Sequence, residues 1–173
     1  MTISKPLSGD YALPFQAYVD DAAAQGDDAL AILEKQESLL ASMASWPEAK
    51  AGYRYADGKW TVREVVGHVA DAERIFAYRL LRIARGDTTP LPGFDENAYQ
   101  LTSGFDSRTL ASVVAELRAV RNATLPLVKS LDEAALERAG TASNKRTTVR
   151  ALAWVLAGHF QHHANILKER YGM

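Results

Sequence analysis

The chain has 173 residues, a length that suits one domain spanning 1–173 with its own buried core, and 47% of them are hydrophobic against 24% charged, the balance of a folded globular protein. A formal net charge of −1 leaves no basic excess to hold nucleic acid or an anionic membrane. The absence of cysteine excludes a disulfide framework, a thiolate metal ligand and a thiol nucleophile of the protein's own, so any thiol chemistry needs an external thiol. Residues 1–14 show no cationic start followed by an apolar core, and the longest apolar run, Ala151 to Ala157, is too short to cross a bilayer; a cytoplasmic protein is expected.

Tyr11, Leu13, Phe15, Tyr18 and Val19 come first, an apolar arm read as a short helix that packs on the rest of the fold. The first long helix starts at Asp27 or Asp28, both suited to cap it, and runs through Leu30, Leu33, Leu40 and Met43 to Ser45, where Trp46-Pro47 ends it. The second has the clearest start in the sequence: Thr61 and Glu64 form a capping box, with Trp60 and Val65 spaced as a hydrophobic staple, and the helix reaches about Arg85 before Gly86 and Asp87 stop it. Thr88 to Ser103, with its prolines and glycine, then reads as a long loop; a connection of that length is functional or disordered, and Phe94, Asp95, Glu96 and Tyr99 suit an ordered site wall. The third helix begins near Asp106 or Ser107 and continues to Pro126, which should kink or end it. The fourth extends from about Thr147 to Tyr171. No segment shows strand alternation, so the expectation is an all-α fold, a four-helix bundle with an N-terminal arm and a long loop between helices 2 and 3.

The chemistry concentrates in the fourth helix. Val149, Leu152, Leu156, His159, His163 and Ile166 follow steps of three and four, which sets two histidines into an apolar seam. At about 100° per residue, His159 and His163 lie roughly 40° apart and one turn from each other, so both imidazoles can share one ion. His162 falls beside the seam and is the weaker ligand candidate. His68 sits at the border of the apolar face of the second helix, a position that suits a ligand with one side open to solvent. Taken singly, each histidine reads as readily as a hydrogen-bonded structural residue. Jointly they favour a metal, because imidazoles in an aliphatic seam lose hydration unless something binds their nitrogens. Simpler readings also apply to the neighbours: Glu64 is explained by the capping box, Asp71, Glu73 and Arg74 by a charged surface, Asp95 and Glu96 by turn bonds in the loop. Trp154 points outward from the seam, so either the N-terminal arm or a second subunit covers it, and a homodimer is expected.

Three stretches carry a family resemblance. Tyr53-Arg54-Tyr55 and Gly58-Lys59-Trp60, followed by Glu64, His68, Asp71, Glu73-Arg74, Arg82 and Ala84-Arg85-Gly86-Asp87, form the first. Pro90-Leu91-Pro92-Gly93-Phe94-Asp95-Glu96-Asn97 with Tyr99 is the second, and Gly158-His159, His162-His163 and Glu169-Arg170-Tyr171 the third. In this order and at these separations they resemble the DinB/YfiT-like metalloenzymes, most closely the branch with a histidine pair on the last helix; Pro126 departs from that pattern. The resemblance implies a four-helix bundle in which His68, His159 and His163 hold one divalent ion, nickel or zinc. Three protein nitrogens leave a coordination position free, the arrangement of a catalytic site. Three functions then stay open: a metal-dependent hydrolase acting on a small molecule, with His162, Glu64 or Asp71 as base or orienting group; a transferase for an external low-molecular-weight thiol; and a stress-related protein that binds metal without turnover.

Overall fold

The computed structural model describes residues 1–173. Its four long helices are α2 (Ala29–Met43), α3 (Val62–Ala84), α5 (Leu110–Lys129) and α7 (Val149–Tyr171); α1 (Gln16–Ala23), α4 (Glu96–Thr102) and α6 (Glu133–Leu136) are short. Neighbours around the bundle run α2, α5, α3, α7 and back to α2, so α2 and α3 are diagonal, as are α5 and α7. Long connections allow this arrangement, because the short turns of an up-and-down bundle would force consecutive helices to be adjacent. No helix is long and apolar enough to cross a membrane.

The predicted starts rest on caps that form. Asp28 accepts from Leu30 N, Thr148 accepts from Ala151 N, and Thr61 and Glu64 exchange both bonds of the capping box. The third long helix begins later than the sequence reading placed it: Phe105–Ser107 is a 3-10 turn, and Thr109 caps α5 by accepting from Ser112 N. Pro126 does not end α5, which continues to Lys129. A proline so close to the C-terminus removes one backbone bond, while buried Val128 and Leu131 hold the last turn against the core.

Two further corrections concern what lies between the helices. The long loop contains α4, capped by Asp95, whose Oδ1 accepts from Asn97 N and Ala98 N. The fold also holds a hairpin, β1 (Ala139–Ala142) and β2 (Lys145–Thr148), paired antiparallel with Ala142 opposite Lys145. Its two-residue turn, Ser143-Asn144, has φ of 52° and 61°, the left-handed pair that matches the twist of a tight hairpin. Leu91 joins the hairpin edge through bonds to Thr141 O at 2.8 Å and from Ser143 N at 3.0 Å, which fixes the loop ahead of α4.

Trp154 is fully buried, and its Nε1 donates to Ile3 O at 2.9 Å. The N-terminal segment covers it, so this residue gives no reason to invoke a second subunit. The arm forms a 3-10 turn (Leu13–Phe15) running into α1, and α1 lies against α7. Contact there is backbone to backbone: a Cβ added at Gly158 would stand 1.8 Å from Tyr18 O. Gly158→Ala is expected to push α1 off α7 and cost about 3 kcal/mol, the upper end for overpacking because a main-chain atom blocks relaxation, measured as a lower midpoint in urea unfolding.

The core has two apolar clusters, and each bundle helix passes from one to the other at or beside a polar residue. In α2 the change falls at Gln36, in α5 at Arg121 and in α7 at His159; in α3 it falls between Ala70 and Ala72, just ahead of the buried Glu73. Glu73 is therefore not part of a charged surface. It is 3% exposed, and its carboxylate accepts from Arg121 Nε at 2.8 Å and Nη2 at 2.9 Å. Arg121 Nη1 also donates to Gln36 Oε1 and Leu33 O, and Gln36 Nε2 donates to Ala157 O, so one network ties all four helices together beside His159.

Candidate metal centre

α7 carries His159 and His163 on one face, and α3 brings His68 opposite them. One nitrogen from each ring lies within 4.8 Å of the others, and the His68 and His159 Nε2 atoms are 3.1 Å apart. Ring centroids are separated by 5.0 Å for His68 and His159, 4.9 Å for His68 and His163, and 4.6 Å for His159 and His163. His68 and His159 are buried and His163 is half-buried. The three rings share a single hydrogen bond, the His68–His159 contact, and His163 Nδ1 is buried with no partner. Buried polar atoms are rarely left so.

Electrostatics keep these rings neutral. Burial lowers the His68 pKa to about 4 although the Glu96 charge pulls it up. Burial, then the neighbouring His68 and His162, lower His163 to about 3, and burial with three histidine neighbours carries His159 well below its ordinary range. Neutral imidazole is the form that ligates metal, so three converging neutral nitrogens with an unsatisfied atom fit a divalent cation. Tetrahedral ligands at about 2.1 Å from zinc lie roughly 3.4 Å apart, a spacing these side chains meet or approach.

The same shifts fix the pH response of chelated protein. In the unfolded chain the imidazoles take up protons near pH 6.5, whereas in the fold His68 resists to about pH 4 and His163 to about pH 3. The unfolded state binds more protons within that window, so stability is full above pH 6.5 and declines as pH falls through it. Denaturant titrations at pH 7 and pH 5 should differ by up to about 1.4 kcal/mol per pH unit for each buried histidine.

The three proposed helper residues lie in different surroundings. His162 turns toward α1, its Nδ1 3.0 Å from Asp21 Oδ2 and its ring 5.3 Å from Tyr18. The Glu64 carboxylate is engaged by Thr61 N at 2.6 Å and Arg54 Nη1 at 2.9 Å. Asp71 pairs with Arg74 at 3.2 Å, has its pKa raised by burial, and borders a narrow crevice at His68.

Sequence reasoning placed Glu96 in the loop and Tyr18 in the N-terminal arm without giving either a part in the chemistry. Glu96, on the first turn of α4, faces the same crevice, and its charge acts on both His68 and Tyr18. Tyr18, from α1, stacks edge-on against His159 at 5.1 Å and has its pKa raised, first by burial. Glu96 had a readable signal in following directly on the capping Asp95; Tyr18 had none, because the arm's docking is a tertiary event. The crevice offers about 10 Å³, room for roughly one water. On the other side of α4 a cavity of about 230 Å³ reaches His163 between Tyr55, Lys59, Trp60, Asn97 and Tyr171.

Comparison with known proteins places this geometry in a family. No curated protein sequence matches the chain. Among solved structures, YfiT from Bacillus subtilis, described as a probable metal-dependent hydrolase with an unusual four-helix bundle topology, superposes with a TM-score of 0.66 at 18% identity, over 97% of this chain and 93% of that one. A mycothiol-dependent maleylpyruvate isomerase gives a TM-score of 0.59 at 15% identity, over 88% of this chain and 60% of that one. Both likenesses establish the fold. The sequence profile of the DinB superfamily matches residues 31–167, and the chain belongs to that superfamily.

Proposed function

We propose that His68, His159 and His163 bind one divalent ion, nickel or zinc, and that the protein is a metal-dependent hydrolase acting on a small molecule. The observation that carries this reading is the convergence of three neutral, otherwise unpartnered imidazoles within 4.8 Å of one another. Bound there, a divalent cation supplies Lewis acidity, lowering the pKa of a water or thiol and polarising a carbonyl. The chain's own groups do the rest. Glu96, the carboxylate whose field reaches His68, accepts a proton from the nucleophile, and Asp71, on the same crevice, passes that proton on to the leaving group. The Tyr18 hydroxyl, kept protonated by burial, donates a hydrogen bond on the α1 side.

A second reading, transfer of an external low-molecular-weight thiol, is favoured by the 230 Å³ cavity at His163, which offers such a molecule room in a protein with no cysteine of its own. Elemental analysis of protein purified without a nickel column should find one divalent ion per chain, and chelation should lower the melting temperature. At a metal concentration 100 times Kd the stabilisation amounts to about 2.7 kcal/mol. Sub-stoichiometric metal with unchanged melting would sink both readings. In cobalt-substituted protein, a thiolate-to-metal absorption band on adding a thiol selects transfer over hydrolysis. A loaded protein inert toward ester, amide and electrophile panels selects metal binding without turnover.

A further inference from the structure

The stripe of α3 that carries His68 continues through Ala72 and Ile75 to Arg79 in steps of four and three, so Arg79 faces the same side of the helix three turns on. Arg79 is only 3% exposed. Its Nη2 donates to Pro92 O at 2.8 Å and Ser143 Oγ at 2.9 Å, both neutral acceptors. The other arginines on this helix are matched: Arg74 with Asp71 and Glu116, Arg82 with Asp87, Arg63 with Glu48. Arg79 pairs with no carboxylate, and its Nε and Nη1 donors have no partner in the protein. Arg79 lines a cavity of about 160 Å³ whose walls include Leu91, Phe94 and Tyr99. The Phe94 ring lies 5.8 Å and the Phe76 ring 5.9 Å from the guanidinium carbon.

A buried cation without a counter-ion is costly, and an uncharged amide would clamp Pro92 to Ser143 equally well. The charge therefore needs a purpose beyond the clamp. Nη2, which both edges of the guanidinium share, is taken by the clamp, so an anion is met through one charge-assisted bond from Nε or Nη1; with Arg74 and Arg82 already neutralised the site offers one positive charge, enough for a monoanion and too little for a phosphate dianion. We propose that this cavity is a carboxylate-binding site in which Arg79 receives the carboxylate of a small monoanion whose apolar or aromatic body lies against Leu91, Phe94 and Tyr99. Phe94 and Tyr99 also wall the crevice at His68, so a ligand held here lies alongside the histidine cluster. The site stands whether or not the histidines bind metal.

The test uses the full chain treated with chelator, so that no metal can hold the anion, titrated with benzoate, benzamide and inorganic phosphate and followed by amide NMR shifts. Benzoate should saturate, with shifts confined to residues 75–79, 91–94 and 99, while benzamide and phosphate bind at least about tenfold more weakly. Arg79→Gln, which keeps a donor for the clamp, should weaken benzoate by about tenfold or more and leave benzamide unchanged. If that variant does not fold, the shift map and the benzoate-to-benzamide ratio of the unmodified chain decide. No saturation across the solubility range of benzoate, equal binding of benzamide or phosphate, shifts centred on the histidines, or an Arg79→Gln variant that binds benzoate undiminished would each overturn the proposal.

Discussion

His159→Leu is expected to lose divalent-metal binding by well over about 100-fold while leaving the chelated protein as stable as before, or more so. The two halves of this result come from opposite consequences of burial. Removing even an indirect supporter of a metal ligand costs about 10- to 100-fold in affinity, so deleting a ligand outright costs more. In the absence of metal the same imidazole is a desolvated polar group whose one hydrogen bond goes to His68, at the junction of two apolar clusters. A leucine of similar volume removes that polar group and packs against Phe76, whose ring lies 5.4 Å from His159. Calorimetric metal titration beside urea unfolding in chelator reads both halves. Undiminished metal binding would mean that His159 is not a ligand, and the metal reading would fall; a large loss of stability in chelator would mean that its bond to His68 holds the fold.

The histidine pair was legible because helical periodicity alone fixes which residues share a face, and His159 and His163 are four apart in a regular seam. The capping box and the Asp28 start were legible for a similar reason: a cap is a local bond between residues three apart or fewer; the fourth helix, expected from about Thr147, is capped one residue later by Thr148. The hairpin was not, since Ala139–Ala142 and Lys145–Thr148 are too short and polar to alternate, and their pairing depends on Leu91 arriving from a distant loop. α4 escaped because its seven residues follow a proline- and glycine-bearing stretch that reads as continuous loop, and Glu96 lost its role with it. Arg79 hid behind a prior that treats arginine as surface, although it lies on the His68 stripe. Glu73 and Arg121 are the instructive case. Val62, Val66, Val69, Glu73, Phe76, Leu80 and Ile83 step by four and three, as do Leu110, Val114, Leu117, Arg121, Thr124 and Val128. Each charge thus interrupts an otherwise apolar seam, and two opposite charges doing so on different helices is a signature of a buried pair.

That pair sets the second large expectation. Arg121→Met leaves the Glu73 carboxylate 3% exposed with both its hydrogen-bond donors removed, and also strips Gln36 Oε1 and Leu33 O of a donor. Breaking one partner of a buried pair costs about 3–5 kcal/mol, a large share of the roughly 5–15 kcal/mol available to a domain. For a chain of this length that corresponds to a melting temperature lower by about 10 °C. Replacing both partners with apolar residues of similar volume should recover most of the loss, because the pair's own attraction is largely offset by the desolvation of its charges. A double-mutant cycle in urea therefore separates two quantities that a single substitution confounds. A double variant as unstable as Arg121→Met would mean that the network's bonds to α2 and α7, rather than the charge balance, hold the bundle together. Gln36 connects that outcome to the candidate site, since its Nε2 holds Ala157 O two residues before His159. The double variant should recover its stability but bind metal more weakly, because Gln36, no longer held by Arg121, orients α7 less firmly.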